Sequence, residues 1–476
     1  MLARAKPDAA RSILMENLPG ESRAAILDED GRAIALLLER DTGDIVPGDI
    51  YRARVEKIVP GLGGFLDLGP DGAGFLPENA LRAVPDLSAS QTVVLQATRP
   101  PRHGKAAEFS PRIVLAGMFL AYAPAETGDR LSRRLAGAAG VAGVKDGLAR
   151  LADLRAGLAL ASVEGGFTLR LAGFAADLPT LRGEAGDLIA RWQAATGEAG
   201  RGGAPGRLIA SPPAAERVFR DILARTGGVR PLTLVGPAPA GDLVGAGKKA
   251  RALGFAPQAG GPNDGARLAD IFDAALAPRV SLASGAALEI DETALGVTID
   301  LDRGRAAGTA ATINREAAAA VMRETACRGL GGLIVIDFLR LSSKAARAAL
   351  FAAMQEECAA AGLSVRPHGF TRAGLFEMTA ERARLSLLEQ MACRERTGPG
   401  GWRIRDESLA FALMRRVLAE AAADPGRPPR VTAAAKICLC LEGKLRSSWS
   451  AVAARSGARL VAGGADWPHD RIDITR

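Results

Sequence analysis

The chain has 476 residues, of which 48% are hydrophobic and 24% charged, with a net charge of +8. At about 100–200 residues per domain this length calls for two to four domains with real cores, which excludes a single small module. No run reaches the roughly 18 consecutive apolar residues of a membrane span, and the N-terminus lacks the basic-then-apolar order of a secretory signal, so a soluble, cytoplasmic protein without disulfides is expected.

Short apolar runs between Ser12 and Arg40, broken by Asp28-Glu-Asp-Gly31, read as a β-hairpin. From Gly48 to Leu81 further short strands are separated by glycine, as in Pro60-Gly-Leu-Gly-Gly64, and predict a small barrel. Residues 128–260 are rich in Ala, Gly and Leu, with a helical patch at Ala214–Arg225 and a loop at Gly197–Gly206. From Arg267 the pattern sharpens into a helix to Leu276, strands between Leu288 and Leu301, and a helix over Asn314–Cys327. The apolar strand Gly332–Phe338 follows, then a helix over Ser342–Ala361 with Ser342 or Ser343 at its cap. Strands alternating with helices predict an α/β layer. A Gly- and Arg-rich break, Arg394–Gly401, precedes a last segment of about 75 residues, the size of a small domain.

Five cysteines and three histidines lie far apart apart from the pair Cys438-x-Cys440, and without a CxxC no complete Cys/His zinc site is readable. The positive charge suggests a polyanionic partner, although an Arg-, Ala- and Gly-rich composition gives the same excess by itself. Gly245-Ala-Gly-Lys-Lys249 fails as a phosphate-binding loop, because Asp242 stands at the first glycine and Lys249 at the final hydroxyl position. Asp300 and Asp337 each fall late in an apolar strand, where ligands bind in open α/β sheets. A carboxylate among aliphatic neighbours needs a cation or donors. Mg²⁺ is one candidate, held by one or two carboxylates plus phosphate oxygens; a cap or a pair with Arg303, Arg305 or Arg340 is the other.

The segment Ser284–Asp300, with Ile313-Asn314-Arg-Glu316-Ala317 and Leu330–Phe338, closely resembles the catalytic core of the ribonuclease E/G family. The similarity extends to Gly48–Pro77 upstream and to Phe370-Thr-Arg372-Ala-Gly-Leu-Phe-Glu377-Met-Thr379 downstream, and the segment from Glu407 is similar to the tail of the family's short members, without a long scaffold region. The resemblance implies an S1 (OB-fold) RNA-binding barrel at 47–126 inserted in an RNase H-like subdomain split between 1–46 and 205–275. It further implies a 5′-sensor-like region at 127–204, a DNase I-like catalytic α/β domain at 276–390, a degenerate zinc-link region at 391–401 and a small C-terminal domain at 402–476. The implied activity is single-strand-specific, Mg²⁺-dependent endoribonuclease cleavage, with Mn²⁺ as a substitute, leaving 5′-phosphate and 3′-hydroxyl ends in rRNA processing or mRNA decay. By position Asp300 and Asp337 would be the catalytic metal carboxylates; Phe65, Phe75, Arg102, Lys105, Arg133, Arg134 and Arg372 would contact single-stranded RNA; and Arg170 would hold the 5′-phosphate.

The chain departs from the family at several of these places. Asp302 replaces an Asn and is a candidate third metal carboxylate; Arg303 replaces a small hydroxyl residue, and Arg340 an acidic one. Whether Asp302 tightens or misplaces the ion, and whether Arg303 neutralises it, the sequence leaves open. Only Cys393 remains of the zinc link, so no structural zinc is expected and any homodimer rests on other contacts. Leu171 stands where the sensor has Thr, which removes a donor and puts 5′-monophosphate preference in doubt. These departures keep a second expectation open, an RNA-binding paralogue that no longer cuts.

Overall fold

The computed structural model describes residues 11–102, 104–157, 164–200, 202–226, 230–235, 251, 254–361, 363–382, 384–395, 401–464 and 467–475. The glycine-lysine segment 245–249 and His103 lie outside them. The architecture is mixed α/β and divides into two compact units, Gly43–Gly228 and Met1–Thr42 with Val229–Arg476.

In the unit 43–228, strands Ile50–Val59, Gly63–Asp67, Ala73–Pro77, Ala107–Ser110 and Thr92–Arg99 pair in that spatial order. The last pairs back onto the first, closing a five-stranded barrel. Alternation fills its interior with Tyr51, Val55, Leu66, Leu68, Leu76 and Phe109. The tight corner at Gly63 needs a residue without a side chain, since φ is +141° and a Cβ would sit 2.2 Å from the Leu76 carbonyl oxygen. Strand Gly206–Ile209 pairs with Ile50–Arg52, so this stretch lies with 43–228, whereas the sequence reading groups 205–275 with the N-terminal strands. The same unit holds helices Arg133–Gly157 and Leu178–Gly200, two long elements that an Ala- and Gly-rich composition conceals. The second of them runs through Gly197–Gly200, where the sequence suggests a loop.

In the other unit, Ser12–Leu18, Glu21–Leu27 and Ala33–Arg40 form a three-stranded meander rather than a single hairpin. The extra strand follows from the Pro19-Gly20 turn, with Gly20 at φ +83°. Strands Leu232–Val235 and Pro257–Ala259 extend this sheet in parallel. The next layer is a six-stranded sheet of spatial order Arg279–Ser281, Ala287–Glu292, Val297–Asp302, Gly332–Asp337, Phe376–Ala380 and Val365–Phe370. Helices Ala310–Arg328 and Lys344–Ala361 cover one of its faces, burying Ile299, Leu301, Ile334, Ile336 and Phe376 against Ile313, Val321 and Met354. Thr309 caps the first helix, accepting from the Thr312 N–H at 3.2 Å, and Gly329 at φ +65° ends it. Ser343, not Ser342, accepts from Ala346 N–H at 3.0 Å at the start of the second.

A buried ion network ties the N-terminal meander to the C-terminal helix Asp406–Ala423. Glu16 accepts from Arg23 Nε at 2.7 Å and from Arg415 Nε at 2.6 Å. Glu21 accepts from Arg40 Nε at 2.6 Å and also pairs with Arg415. Arg40 reaches on to the Gln390 carbonyl and the Ser408 hydroxyl. Burial raises the Glu16 carboxyl, but Arg415 and Arg23 together outweigh it and hold the group below the usual carboxylate range. A carboxyl lowered in this way stabilises the fold above its unfolded titration range and ceases to do so as pH falls through its folded one. Glu16→Gln leaves Arg23 without its counter-charge and Arg415 with Glu21 alone. Urea unfolding is expected to show a loss of about 3–5 kcal/mol at neutral pH, with a shallower decline of stability below about pH 4 than in the parent.

Candidate functional site

Strands Val297–Asp302 and Gly332–Asp337 run parallel, joined through helix Ala310–Arg328, and their register sets Asp300 beside Asp337. Neighbouring strands lie about 4.8 Å apart, so the two carboxylates start from adjacent backbone positions. Both side chains are exposed. Their aliphatic sequence neighbours do not surround them: Val297, Ile299 and Leu301 turn to the helices, and the alternation presents Thr298, Asp300 and Asp302 on the open face. Among the described residues neither Asp300 nor Asp337 has a hydrogen-bond or ion-pair partner, so neither acts as a cap or pairs with an arginine.

Asp302 shares that face but is already engaged. It accepts from Gly304 N–H at 2.9 Å and from Arg279 Nη2 at 3.2 Å, and these two bonds hold its carboxyl below the usual range. Arg279 also donates to Glu289 at 2.5 Å, and Glu289 lies in register with Asp300 across the hairpin. Arg303, the neutralising candidate by sequence, instead donates to the Gly308 carbonyl at 2.8 Å. Arg279 and Glu289 escape a reading by motif; counting back along the hairpin from Asp300 and Asp302 would have found them. Arg340 is exposed three residues beyond Asp337, and Arg372 is exposed in the turn before strand Phe376–Ala380.

In the unit 43–228, Phe65 and Phe75 are cross-strand partners with ring centroids 5.5 Å apart, edge to face. Both are half-buried and alternate with the interior Leu66 and Leu76, so Phe65 lies on the barrel's outside rather than in its core. Lys57, in register with Phe65, holds its ammonium 4.7 Å from that ring's centroid. Its outward position is readable from the hairpin alternation, though no motif marks it. Arg102 and Lys105 exchange backbone hydrogen bonds of 3.1 and 2.8 Å in the turn that leads into Ala107–Ser110, whose Glu108 is in register with Phe75.

Arg133 and Arg134 open helix Arg133–Gly157 with exposed side chains, and Arg134 donates to the Ala224 carbonyl at 2.5 Å. Arg170 is half-buried and donates to the Gly117 carbonyl at 2.8 Å. Burial pulls its guanidinium down, Arg220 and Arg134 push the same way, and Asp221 and Glu184 oppose them. Glu184 in turn accepts from the N–H groups of Met118, Phe119 and Leu120 at 2.6, 2.9 and 2.7 Å. Arg134 and Arg170 are thus within electrostatic reach of each other, and the segment Met118–Leu120 beside Glu184 is fixed by the three bonds to its carboxylate. Cys393 is half-buried in strand Ala392–Arg394, opposite Arg403.

Residues 263–383 match the model of the Ribonuclease E/G family. The chain is 26% identical over 446 residues to ribonuclease G of Haemophilus influenzae, covering 86% of this chain and 87% of that protein. It is 25% identical over 446 residues to ribonuclease G of Escherichia coli, covering 85% and 87%. Against ribonuclease E of Escherichia coli it is 27% identical over 477 residues, 93% of this chain and 43% of the relative. The match to the Ribonuclease E/G family model thus falls on the layer that presents Asp300 and Asp337, and similarity to ribonuclease G extends over most of the chain.

Proposed function

We propose that this protein is an endoribonuclease that hydrolyses single-stranded RNA with a divalent cation, Mg²⁺ or Mn²⁺, held by Asp300 and Asp337, leaving 5′-phosphate and 3′-hydroxyl ends. The single observation that carries the reading is the carboxylate pair. Two like charges stand side by side on an open face, and among the described residues no cation pairs with either, an arrangement that repels itself until a cation joins it. The donors are hard oxygens, which suits Mg²⁺ or Mn²⁺ rather than zinc. An ion held by two carboxylates is completed by water and substrate phosphate oxygens. When bound, such an ion lowers the pKa of a coordinated water and offsets charge on the phosphate oxygens.

The protein's own groups supply the rest. Asp302 stays ionised and shares Arg279 with Glu289, so one cation spans two carboxylates and a single negative charge is left over beside the pair. Arg372, Arg340, Lys105 and Arg102 are cations for phosphate oxygens, and Phe65 and Phe75 with Lys57 form a stacking platform for unpaired bases. Arg133 and Arg134 are further exposed cations for RNA phosphates, and Arg170 remains as a hydrogen-bond donor to a phosphate without the neighbouring hydroxyl. The names of the relatives, ribonucleases G and E, support RNA as substrate. The replacements at Asp302 and Arg340 support one second reading, an RNA-binding paralogue that does not cut.

A labelled A/U-rich oligonucleotide separates the two. Asp300→Asn and Asp337→Asn are each expected to lower metal-dependent cleavage by about 10³-fold or more, the effect of removing several kcal/mol of charge stabilisation, with RNA affinity retained. Salt-sensitive binding by the wild type with no cleavage in Mg²⁺ or Mn²⁺ would establish the non-cutting paralogue instead. With Leu171 beside Arg170, 5′-phosphate and 5′-hydroxyl substrates are expected to be cut at equal rates.

The binding surface gives its own signature. Phe65→Ala or Phe75→Ala should weaken RNA binding by about 1–3 kcal/mol with little dependence on sequence. Lys105→Ala should reduce the slope of log affinity against log salt by about one. Unchanged affinity in fluorescence-anisotropy titrations of both aromatic variants would remove the barrel from the RNA site.

A further inference from the structure

Helix Ala310–Arg328 does more than roof the sheet. Asn314, in its second turn, is fully buried, and its side-chain amide makes two bonds to one backbone unit: Nδ2 donates to the Leu339 carbonyl at 2.8 Å, and Leu339 N–H donates to Oδ1 at 3.0 Å. This is the pairing a neighbouring strand would provide, made just beyond the point where strand Gly332–Asp337 ends. Leu339 lies two residues past Asp337 and next to Arg340. On either side the segment is seated by apolar contacts: Phe338 packs edge-on against Phe376 at 5.8 Å, and Leu341 is buried. The polar backbone between them has Asn314 as its fixing point. Half a turn along the same helix, Glu316 accepts from Ser284 N–H at 3.2 Å and steadies the turn that enters strand Ala287–Glu292.

We propose that Asn314 is a positioning residue for the carboxylate pair. Its clamp fixes the backbone that leaves Asp337, keeping that carboxylate level with Asp300 and directing Arg340 to the open face. Without the amide, Leu339 has a donor and an acceptor unpaired beneath its own loop, and the loop relieves this by lifting toward water and carrying Asp337 with it. The inference rests on the nuclease reading for its consequence in catalysis, but the clamp itself is a property of the metal-free protein.

The test uses Asn314→Ala, Asn314→Asp and, as control, Thr325→Val. Thr325 is a second buried polar residue of the same helix, whose hydroxyl donates to the Val321 carbonyl at 2.7 Å and does not touch the loop. In metal-free full-length protein, hydrogen exchange at residues 338–341 should quicken in Asn314→Ala, less so in Asn314→Asp, which keeps the acceptor for Leu339 N–H, and not in Thr325→Val. With Mg²⁺, kcat should fall by about 10–100-fold in Asn314→Ala, the effect of a misplacement near 1 Å, while KM for the oligonucleotide stays within about threefold, since Arg340 is the one phosphate-contacting group on the loop and the others keep their places. If Asn314→Ala does not fold, Asn314→Asp decides by the same two readouts. Faster loop exchange with unchanged kcat, or an equal fall of kcat in Thr325→Val, would overturn the proposal. A wild type that does not cut at all sinks the nuclease reading instead, a result distinct from either.

Discussion

The parallel pairing of Val297–Asp302 with Gly332–Asp337 is the constraint from which the chemistry of this protein follows. Two parallel strands need a crossover, and helix Ala310–Arg328 supplies it while burying the apolar side of both. That burial fixes the register, because a slip of one residue would send Ile299 and Ile336 to solvent and both carboxylates into the core. Apolar packing on one face thus holds two like charges side by side on the other. The arrangement costs repulsion that the core outweighs and that a bound cation would relieve.

The same strands show how a drifted site stays balanced. Asp302 adds a negative charge, and Arg279 bridges it to Glu289, so one cation is shared by two carboxylates and the site keeps a net negative charge that favours a cation. The pairs are exposed and contribute little to stability. Their consequence is local, since they leave Asp300 and Asp337 as the two carboxylates of the row without partners.

Much of this was legible in the sequence. The apolar runs before Asp300 and Asp337 and the helix between them follow from period and spacing, and the Gly-cornered strands around Phe65 and Phe75 announce the barrel that closes. What was not legible has physical reasons. The exposure of Asp300 depends on which face of the sheet the helices cover, which a single strand's run does not state. The partner of Asp302 comes from another strand rather than from the adjacent Arg303, because a side chain in a strand meets its cross-strand neighbours before its sequence neighbours. The long helix Arg133–Gly157 is rich in Ala and Gly with little apolar periodicity, whereas Leu178–Gly200 carries helical spacing at Leu181, Ala185, Leu188 and Ile189 that its Ala and Gly content masks. The network of Glu16, Arg23, Glu21, Arg40 and Arg415 joins residues from opposite ends of the chain, a distance over which local signals are silent.

The most direct measurement of the central claim is the chemical identity of the ends that the wild type leaves on a defined single-stranded RNA in Mg²⁺. Water attack at a phosphate beside Asp300 and Asp337 predicts fragments with 5′-phosphate and 3′-hydroxyl ends, with oxygen from solvent in the new phosphate. Fragments ending in 2′,3′-cyclic phosphate would mean that the ribose hydroxyl is the nucleophile, and would contradict the account.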